Sequence, residues 1–569
     1  MVYSPRLFKL VLCLIVACCL ASDLSAQKSG RSKREFPAYG FSFRPLKDWK
    51  DIPQSPDDIA AGRIGQFSAE DTVRLPTKDG FGLNVAPSLV VLRDTPQEAV
   101  TEEAAGGLRG RAGREQAAEK TVHDYIISVY GGSLRKDEFK LLEAEVSNPK
   151  ITKTDAKREE ITSYLVSGGQ GYDTRFDVFT IQLPDAKIIF IWQYPAFPDS
   201  AKKLKKWSSA ARTSMKTFKY DASKVEDFSA GDAPDSDDDY SAILSFHQQE
   251  VDQTPGWRLL ETPSKNYLIK TNCEDRKSIN LAIKRLEASR KLFEEDFPPA
   301  EPITNVSVVR ICETNEEFQM FSGMGNGVAG YFSPSSEELV LYFGENSNGL
   351  DLTLAVMTHE GFHQYCHFLF NRAAAHRWYD EGHGDYYGAF KLVGSKLKPN
   401  EDMKGGLARI PEIKRMIANG DVAPLSDHLR YTHPEWQGQG PSGVSCYAQS
   451  FTIIYFLREG TRGRSRTVKY FKKEYKDIIP NYIASLHAGY VKAYADYVEE
   501  QEESLKTALE ADADEEIIDN LKERISKPWL YLDSEEKRTI SYKAIDDSWG
   551  KIDESEFEKN WLNYIDNEL

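Results

Sequence analysis

His359, Glu360 and His363 stand in the string His359-Glu360-Gly361-Phe362-His363, inside the segment Met357–Tyr387. On a helix, residues four apart lie one turn above each other, so both imidazoles leave the same face. That is the arrangement a tetrahedral zinc needs for two nitrogen ligands, with Glu360 beside the metal as general base. Zinc bound there would lower the pKa of a water to about 7 and make hydroxide available at neutral pH. A second acidic stretch follows, Trp378-Tyr379-Asp380-Glu381-Gly382-His383-Gly384-Asp385-Tyr386-Tyr387. Glu381 can supply the third ligand, leaving a fourth position for water. Asp385, one helical turn further on, can accept the second N–H of a ligating histidine and fix its tautomer. His383 is the rival third ligand. His367 continues the four-residue row and reads as a packing or capping residue, while His376 reads as a loop or surface histidine.

The elements that must position these groups are legible around them. Leu352–Met357 is apolar and helix-compatible, with Asp351 or Thr353 as N-cap, and the Trp378–Tyr387 stretch reads as a second helix. Upstream, strands are expected at Tyr267–Thr271, Val306–Ile311, Gly327–Phe332 and Leu339–Phe343, with a helix at Ser278–Phe297. Downstream the chain turns helical, at Pro411–Ala418, Ser445–Arg458 and Arg466–Tyr475.

The pair of motifs resembles the gluzincin metallopeptidases, whose second motif commonly reads Trp or another hydrophobic residue, then Asn-Glu-Gly. Here Asp380 occupies the Asn position. The strings HEGFHQY, WYDEGHGDYY and YAQSFTIIYFL together are similar to a group of secreted bacterial gluzincin-like proteins, over residues 256–480. The resemblance implies a peptidase-like fold, a zinc site and an edge strand, Val328–Phe332 or Leu339–Phe343, that pairs with extended substrate backbone. It also implies a Tyr or His donating a hydrogen bond to the tetrahedral oxyanion. Tyr447 is matched to that role, with His428 and His433 as rival donors. Gly344-Glu345-Asn346 is an incomplete form of the amine-binding motif of zinc aminopeptidases and reads as a turn.

At 569 residues the chain has length for roughly two to four domains. Its net charge of −16 argues against nucleic acid as a partner. Arg6 and Lys9 precede the apolar run Leu10–Leu20, which reads as an export signal cleaved after Ala26. The competing Ile15-Val16-Ala17-Cys18 is similar to a bacterial lipobox and would anchor the protein to a membrane through a lipidated Cys18. Expected localisation is therefore secreted or periplasmic, with a lipid-anchored alternative. Arg31-Ser32-Lys33-Arg34 resembles a basic processing site. Outside the signal, Cys273, Cys312, Cys366 and Cys446 lack C-x-x-C spacing and read as buried thiols.

The expected fold class is α+β. After the signal at 1–26, residues 36–222 form an N-terminal α/β domain, with a helix at Arg114–Tyr130 and a final amphipathic helix at Ser200–Phe218. Its order of strands framed by helices is loosely similar to the Mog1/PsbP-like α/β sandwich. An acidic linker is expected at 223–245. There Asp235, Asp237 and Asp239 mimic a calcium loop, but Tyr240 stands where glycine is required and Phe246 where the bidentate Glu belongs. Residues 246–480 are the expected zinc domain, and 481–569 a helical acidic C-terminal region, either a packed appendage or a partner surface. The function expected is a secreted zinc metallopeptidase acting on a peptide or protein. The alternatives are an inactive gluzincin-like scaffold of the cell envelope and a zinc hydrolase for a non-peptide bond.

Overall fold

The computed structural model describes residues 33–54, 62–76, 82–94, 139–145, 157–166, 173–184, 186–197, 200–225, 234–236, 238–324, 328–344, 347–399, 407, 409–439, 443–463, 467, 469–511 and 513–569. The expected signal with Cys18, the helix at 114–130 and the turn at 345–346 lie outside the described residues, as do Arg31 and Ser32 of the basic processing site. The fold class is α+β, built as two units: Met1–Ala233 with Gln319–Met324, and Pro234–Phe318 with Gly325–Leu569.

In the first unit, strands β1 (Arg34–Phe36), β2 (Phe41–Phe43), β3 (Trp49–Ile52), β4 (Arg63–Ala69) and β5 (Ser88–Asp94) come first. They are followed by β6 (Phe139–Glu145), β7 (Lys157–Val166), β8 (Asp173–Gln182) and β9 (Lys187–Ala196), then helix α1 (Ala201–Met215) and strand β10 (Lys219–Tyr220). Seven strands form one antiparallel sheet in the order β3-β4-β5-β9-β8-β7-β6. Strand side chains alternate between faces, so Ile188, Phe190, Trp192 and Tyr194 of β9 share one side. They pack with Ala211 and Met215 of α1 in one core. Ile189 and Ile191, on the opposite face of β9, are buried as well. Near-continuous apolar runs are what a strand covered on both faces requires.

The second unit opens with α2 (Tyr240–Asp252), β11 (Arg258–Glu261), β12 (Tyr267–Thr271), α3 (Arg276–Asp296) and β13 (Ser307–Cys312). Then come the hairpin β14 (Gly330–Ser333) and β15 (Glu338–Tyr342), helix α4 (Ser347–Leu369) and helix α5 (Arg377–Gly388). The sheet order is β11-β12-β13-β15-β14, parallel from β12 to β15 and antiparallel at both ends. Of the two candidate edge strands, β14 is the edge and β15 is interior. The chain continues through α6 (Ile410–Asn419), α7 (Leu425–His428), α8 (His433–Gln437), α9 (Val444–Thr461), α10 (Ile478–Glu510), α11 (Ser534–Trp549) and α12 (Glu554–Glu568).

Two expectations are corrected here. The acidic linker does not extend to 245: Asp239 caps α2, its carboxylate accepting the Ser241 N–H at 3.0 Å. Ser236 is likewise tied into the second unit, its carbonyl accepting the Val306 N–H at 2.7 Å. Of the helix expected at Arg466–Tyr475, Thr467 is helical, while the described residues after it form a turn at 469–470 and a 3-10 segment, Lys473–Asp477. There the Phe471 and Tyr475 rings lie 5.5 and 6.3 Å from Phe456 of α9, and this tertiary packing outweighs local helix propensity. As for the two readings of residues 481–569, their helices pack on the domain before them. α10 starts before 481, and Tyr482, Leu486, Trp549, Phe557 and Trp561 share one core with Phe362, Tyr379 and Tyr387 of α4 and α5. Cys273, Cys312, Cys366 and Cys446 are buried free thiols. No helix among the described residues is long and apolar enough to cross a membrane.

Glu337 pins the edge hairpin to α4. It sits in the β14–β15 turn with a left-handed φ of 52°, and its carboxylate meets His367 Nε2 at 2.9 Å and Arg372 Nε at 2.6 Å. Burial pushes its carboxyl up, but the His367 bond and the Arg372 charge outweigh this and hold it at about 2, below its ordinary 4.5. A depressed folded-state pKa stabilises above the unfolded value and loses that contribution as pH falls through the folded one. Glu337 is therefore expected to contribute on the order of 3 kcal/mol above pH ~5, lost between pH ~4.5 and ~2. Urea midpoints across that window are expected to fall less steeply for Glu337→Gln than for wild type.

Candidate metal centre

Helix α4 presents two faces. Its Gln364 side chain donates to the Val308 carbonyl at 3.2 Å and the Glu337 carbonyl at 3.0 Å, so the Glu360/Gln364 row faces the sheet. His359 and His363, about 100° round the helix, then face α5. Behind them the buried Arg285 of α3 donates to Thr358 Oγ1 at 2.6 Å and to the Phe390 carbonyl at 2.9 Å. This bond fixes the turn of α4 that carries His359. α4 begins at Ser347, so Asp351 and Thr353 lie inside it and are not its caps. Thr353 Oγ1 instead accepts the Gly344 N–H at 3.3 Å.

Helix α5 must approach α4 closely, and its glycines allow it. A Cβ on Gly384 would stand 2.8 Å from His359 Nδ1 and Cε1, and one on Gly382 would stand 2.9 Å from the Ser450 carbonyl of α9. The glycines that make this stretch a poor helix by propensity are thus what bring Glu381 to the histidines. His376 ends the loop before α5 and is the helix N-cap, its Nδ1 accepting the Trp378 N–H at 3.4 Å.

The result is a convergent donor set. Ligand atoms of His359, His363 and Glu381 all lie within 4.8 Å of one another. Glu381 Oε2 is 3.2 Å from His359 Nε2 and 3.6 Å from His363 Nε2. The two imidazole centroids are 4.7 Å apart with their planes at 85°. Each Nδ1 faces its own carboxylate, His359 toward Asp385 Oδ1 at 3.1 Å and His363 toward Asp380 Oδ1 at 2.9 Å. Both Nε2 atoms are thereby directed at Glu381. Asp385 is itself held by Arg409 Nε at 2.8 Å, and Glu381 Oε1 by Arg377 Nη1 at 2.9 Å. Two imidazoles and a carboxylate, each oriented by an outer partner, form a donor set that fits zinc.

The carboxylates are driven apart in proton affinity. Burial pushes Glu381 up, but His359 and His363 outweigh it and hold its carboxyl well below the ordinary range. Burial also lifts Glu360, and there it prevails over the two histidines despite a 3.0 Å hydrogen bond from the Phe332 N–H of β14. His359 is pushed down by burial and carried up to about 9 by Asp385 and Glu381. One carboxylate that stays ionised beside one with a raised proton affinity is a division suited to a ligand and a base.

Tyr447, near the start of α9, is half-buried, its ring 5.4 Å from the Arg409 guanidinium and 5.8 Å from Trp436. Burial and the nearby Glu381 push its hydroxyl far above the ordinary value, so it remains a donor. The two rival donors differ in exposure. His428 is fully buried and hydrogen-bonded to Ser450 Oγ at 2.8 Å, while His433 is exposed. His383 points into the core, with Nδ1 2.8 Å from the Tyr379 carbonyl and its ring stacked on Phe362. Sequence reasoning missed the roles of Asp380, Arg377 and Arg409. Asp380 and Arg377 carried a signal, one next to Glu381 and the other one helical turn before it. Arg409 carried none, since only the tertiary fold brings it to Asp385.

No family model matches the chain, and no curated protein matches it. Solved structures of Mog1 have a weak likeness to its N-terminal region. A mutant of the protein Mog1 covers 35% of this chain and 100% of that chain, at 11% identity and a TM-score of 0.21. The Ran-binding protein Mog1p of Saccharomyces cerevisiae covers 34% and 99%, at the same identity and TM-score.

Proposed function

We propose that the second unit is a zinc-dependent metallopeptidase of the gluzincin type, exported from the cell. The observation that carries this reading is the convergence of His359 Nε2, His363 Nε2 and Glu381 Oε2, with Glu360 on the neighbouring face of the same helix. These three side chains would hold the zinc, which when bound supplies Lewis acidity and a water of pKa about 7.

The chain's own residues divide the remaining work. Asp385 and Asp380 hold the imidazoles with Nε2 inward. Arg377 holds Glu381 Oε1, leaving Oε2 for the site. Glu360, one oxygen anchored by the Phe332 N–H, takes a proton from the attacking water and delivers it to the leaving amine. Among the described residues strand β14 pairs on one side only, and that edge can bind extended substrate backbone. Tyr447 donates to the oxygen that becomes negative as the carbonyl is attacked. Loss of one such donor costs about 3 kcal/mol, so Tyr447→Phe is expected to lower kcat roughly 10²-fold with bound metal unchanged, read by steady-state kinetics and metal analysis.

The test of the reading is metal analysis of the mature protein together with cleavage of a quenched peptide library. One zinc per chain, with cleavage abolished by a chelator and restored by zinc, is expected. No zinc after metal-replete purification would overturn it.

A further inference from the structure

The guanidinium of Arg377 does more than orient Glu381. Its Nη1 bonds Glu381 Oε1 at 2.9 Å, one carboxylate's width from the atoms that converge on the site. Arginine carries five N–H donors, and here Nε and Nη2 take no partner among the described residues. The side chain is 30% exposed, so those donors open to solvent beside the candidate metal centre. Arg409 differs, since both its Nε and its Nη2 engage Asp385, at 2.8 and 3.4 Å, and the Tyr447 ring lies against it. The charge of Arg377 also pushes the exposed His433 down in proton affinity. In a chain of net charge −16, an anionic substrate needs a local cation to enter. A fork with free parallel donors recognises a carboxylate rather than a neutral carbonyl.

We propose that Arg377 is a specificity-determining residue, selecting peptides that carry a carboxylate next to the bond held at the site. The inference rests on the peptidase reading. The carboxylate can be an acidic side chain or the peptide's own C-terminus, and matched peptides separate the two.

The experiment measures binding, so it does not depend on turnover. Zinc-loaded Glu360→Gln protein, with Arg377 intact or replaced by Gln or Lys, is titrated with fluorescent peptides in two matched pairs. One pair differs only in a C-terminal acid against an amide, the other only in an internal Glu against Gln. With Arg377 intact, the acid member of at least one pair is expected to bind about tenfold more tightly. Arg377→Gln removes the difference, and Arg377→Lys, which keeps the charge but loses the fork, retains part of it. Each ratio compares two peptides on one variant, so a general loss of affinity from a disturbed Glu381 cancels. No preference in either pair, or a preference that survives Arg377→Gln, overturns the proposal. Carboxylate-selective binding without cleavage by the wild type would remove the peptidase reading and leave Arg377's selectivity standing. Cleavage without selectivity would do the reverse.

Discussion

Glu360→Gln is expected to lower kcat for peptide hydrolysis about 10³-fold while bound metal, melting temperature and KM stay close to wild type. The amide has the size and shape of the carboxylate, and its oxygen can still accept the Phe332 N–H that anchors Glu360 to strand β14. The edge strand therefore keeps its seat on the helix, and the neighbouring histidines keep theirs. What the amide cannot do is accept a proton and return it. Because that loss is confined to the transition state, kcat and kcat/KM should fall together. The wild-type carboxyl is suited to proton transfer by its surroundings: burial raises its proton affinity while the two histidines and the strand amide restrain it. A variant that turned over at the wild-type rate would show that Glu360 only ties the strand to the helix. A variant that lost metal as well would place its role in folding.

The two helices and the strand series around the centre were readable because each rests on local signals. Apolar runs mark the strands of the second sheet, and the four-residue spacing of His359 and His363 is itself the geometry of a helix face. What could not be read depends on chain paths. That His383 turns into the core and Glu381 toward the histidines follows from the rotation of α5, which is set by how closely Gly382 and Gly384 let it approach α9 and α4. Both residues looked serviceable on paper, two positions apart on one helix. Arg409 reaches Asp385 across a connection of twenty-four positions with no periodicity to announce it. The acidic C-terminal segment left packing and partner surface open for another reason. Its carboxylates dominate the composition, but its aromatic residues, Tyr482, Trp549 and Trp561 among them, point inward and complete the core beneath the candidate centre. Composition averages over faces, and burial does not.

Glu381→Ala is expected to weaken zinc binding about 10³-fold, more than the 10–100-fold typical when an outer partner of a ligand is lost. His383→Phe should leave zinc affinity unchanged. The contrast turns on direction as much as on chemistry. Glu381 Oε2 faces both Nε2 atoms at 3.2 and 3.6 Å, whereas the ring of His383 is stacked on Phe362 with Nδ1 committed to the Tyr379 carbonyl. Removing the carboxylate also takes from Arg377 the ion-pair partner it holds at 2.9 Å. Binding is linked to folding, so thermal denaturation reads the same quantity. Free zinc at 100 times its dissociation constant would stabilise the wild type by about 2.7 kcal/mol, and Glu381→Ala by almost nothing at that concentration. The His383→Phe protein should respond to zinc as the wild type does. Any change in its metal-free melting temperature would report only how the aromatic core accommodates the new ring. If zinc instead stabilised Glu381→Ala as strongly as wild type, the third ligand would have to come from Asp380 or Asp385, the carboxylates already facing the two histidines.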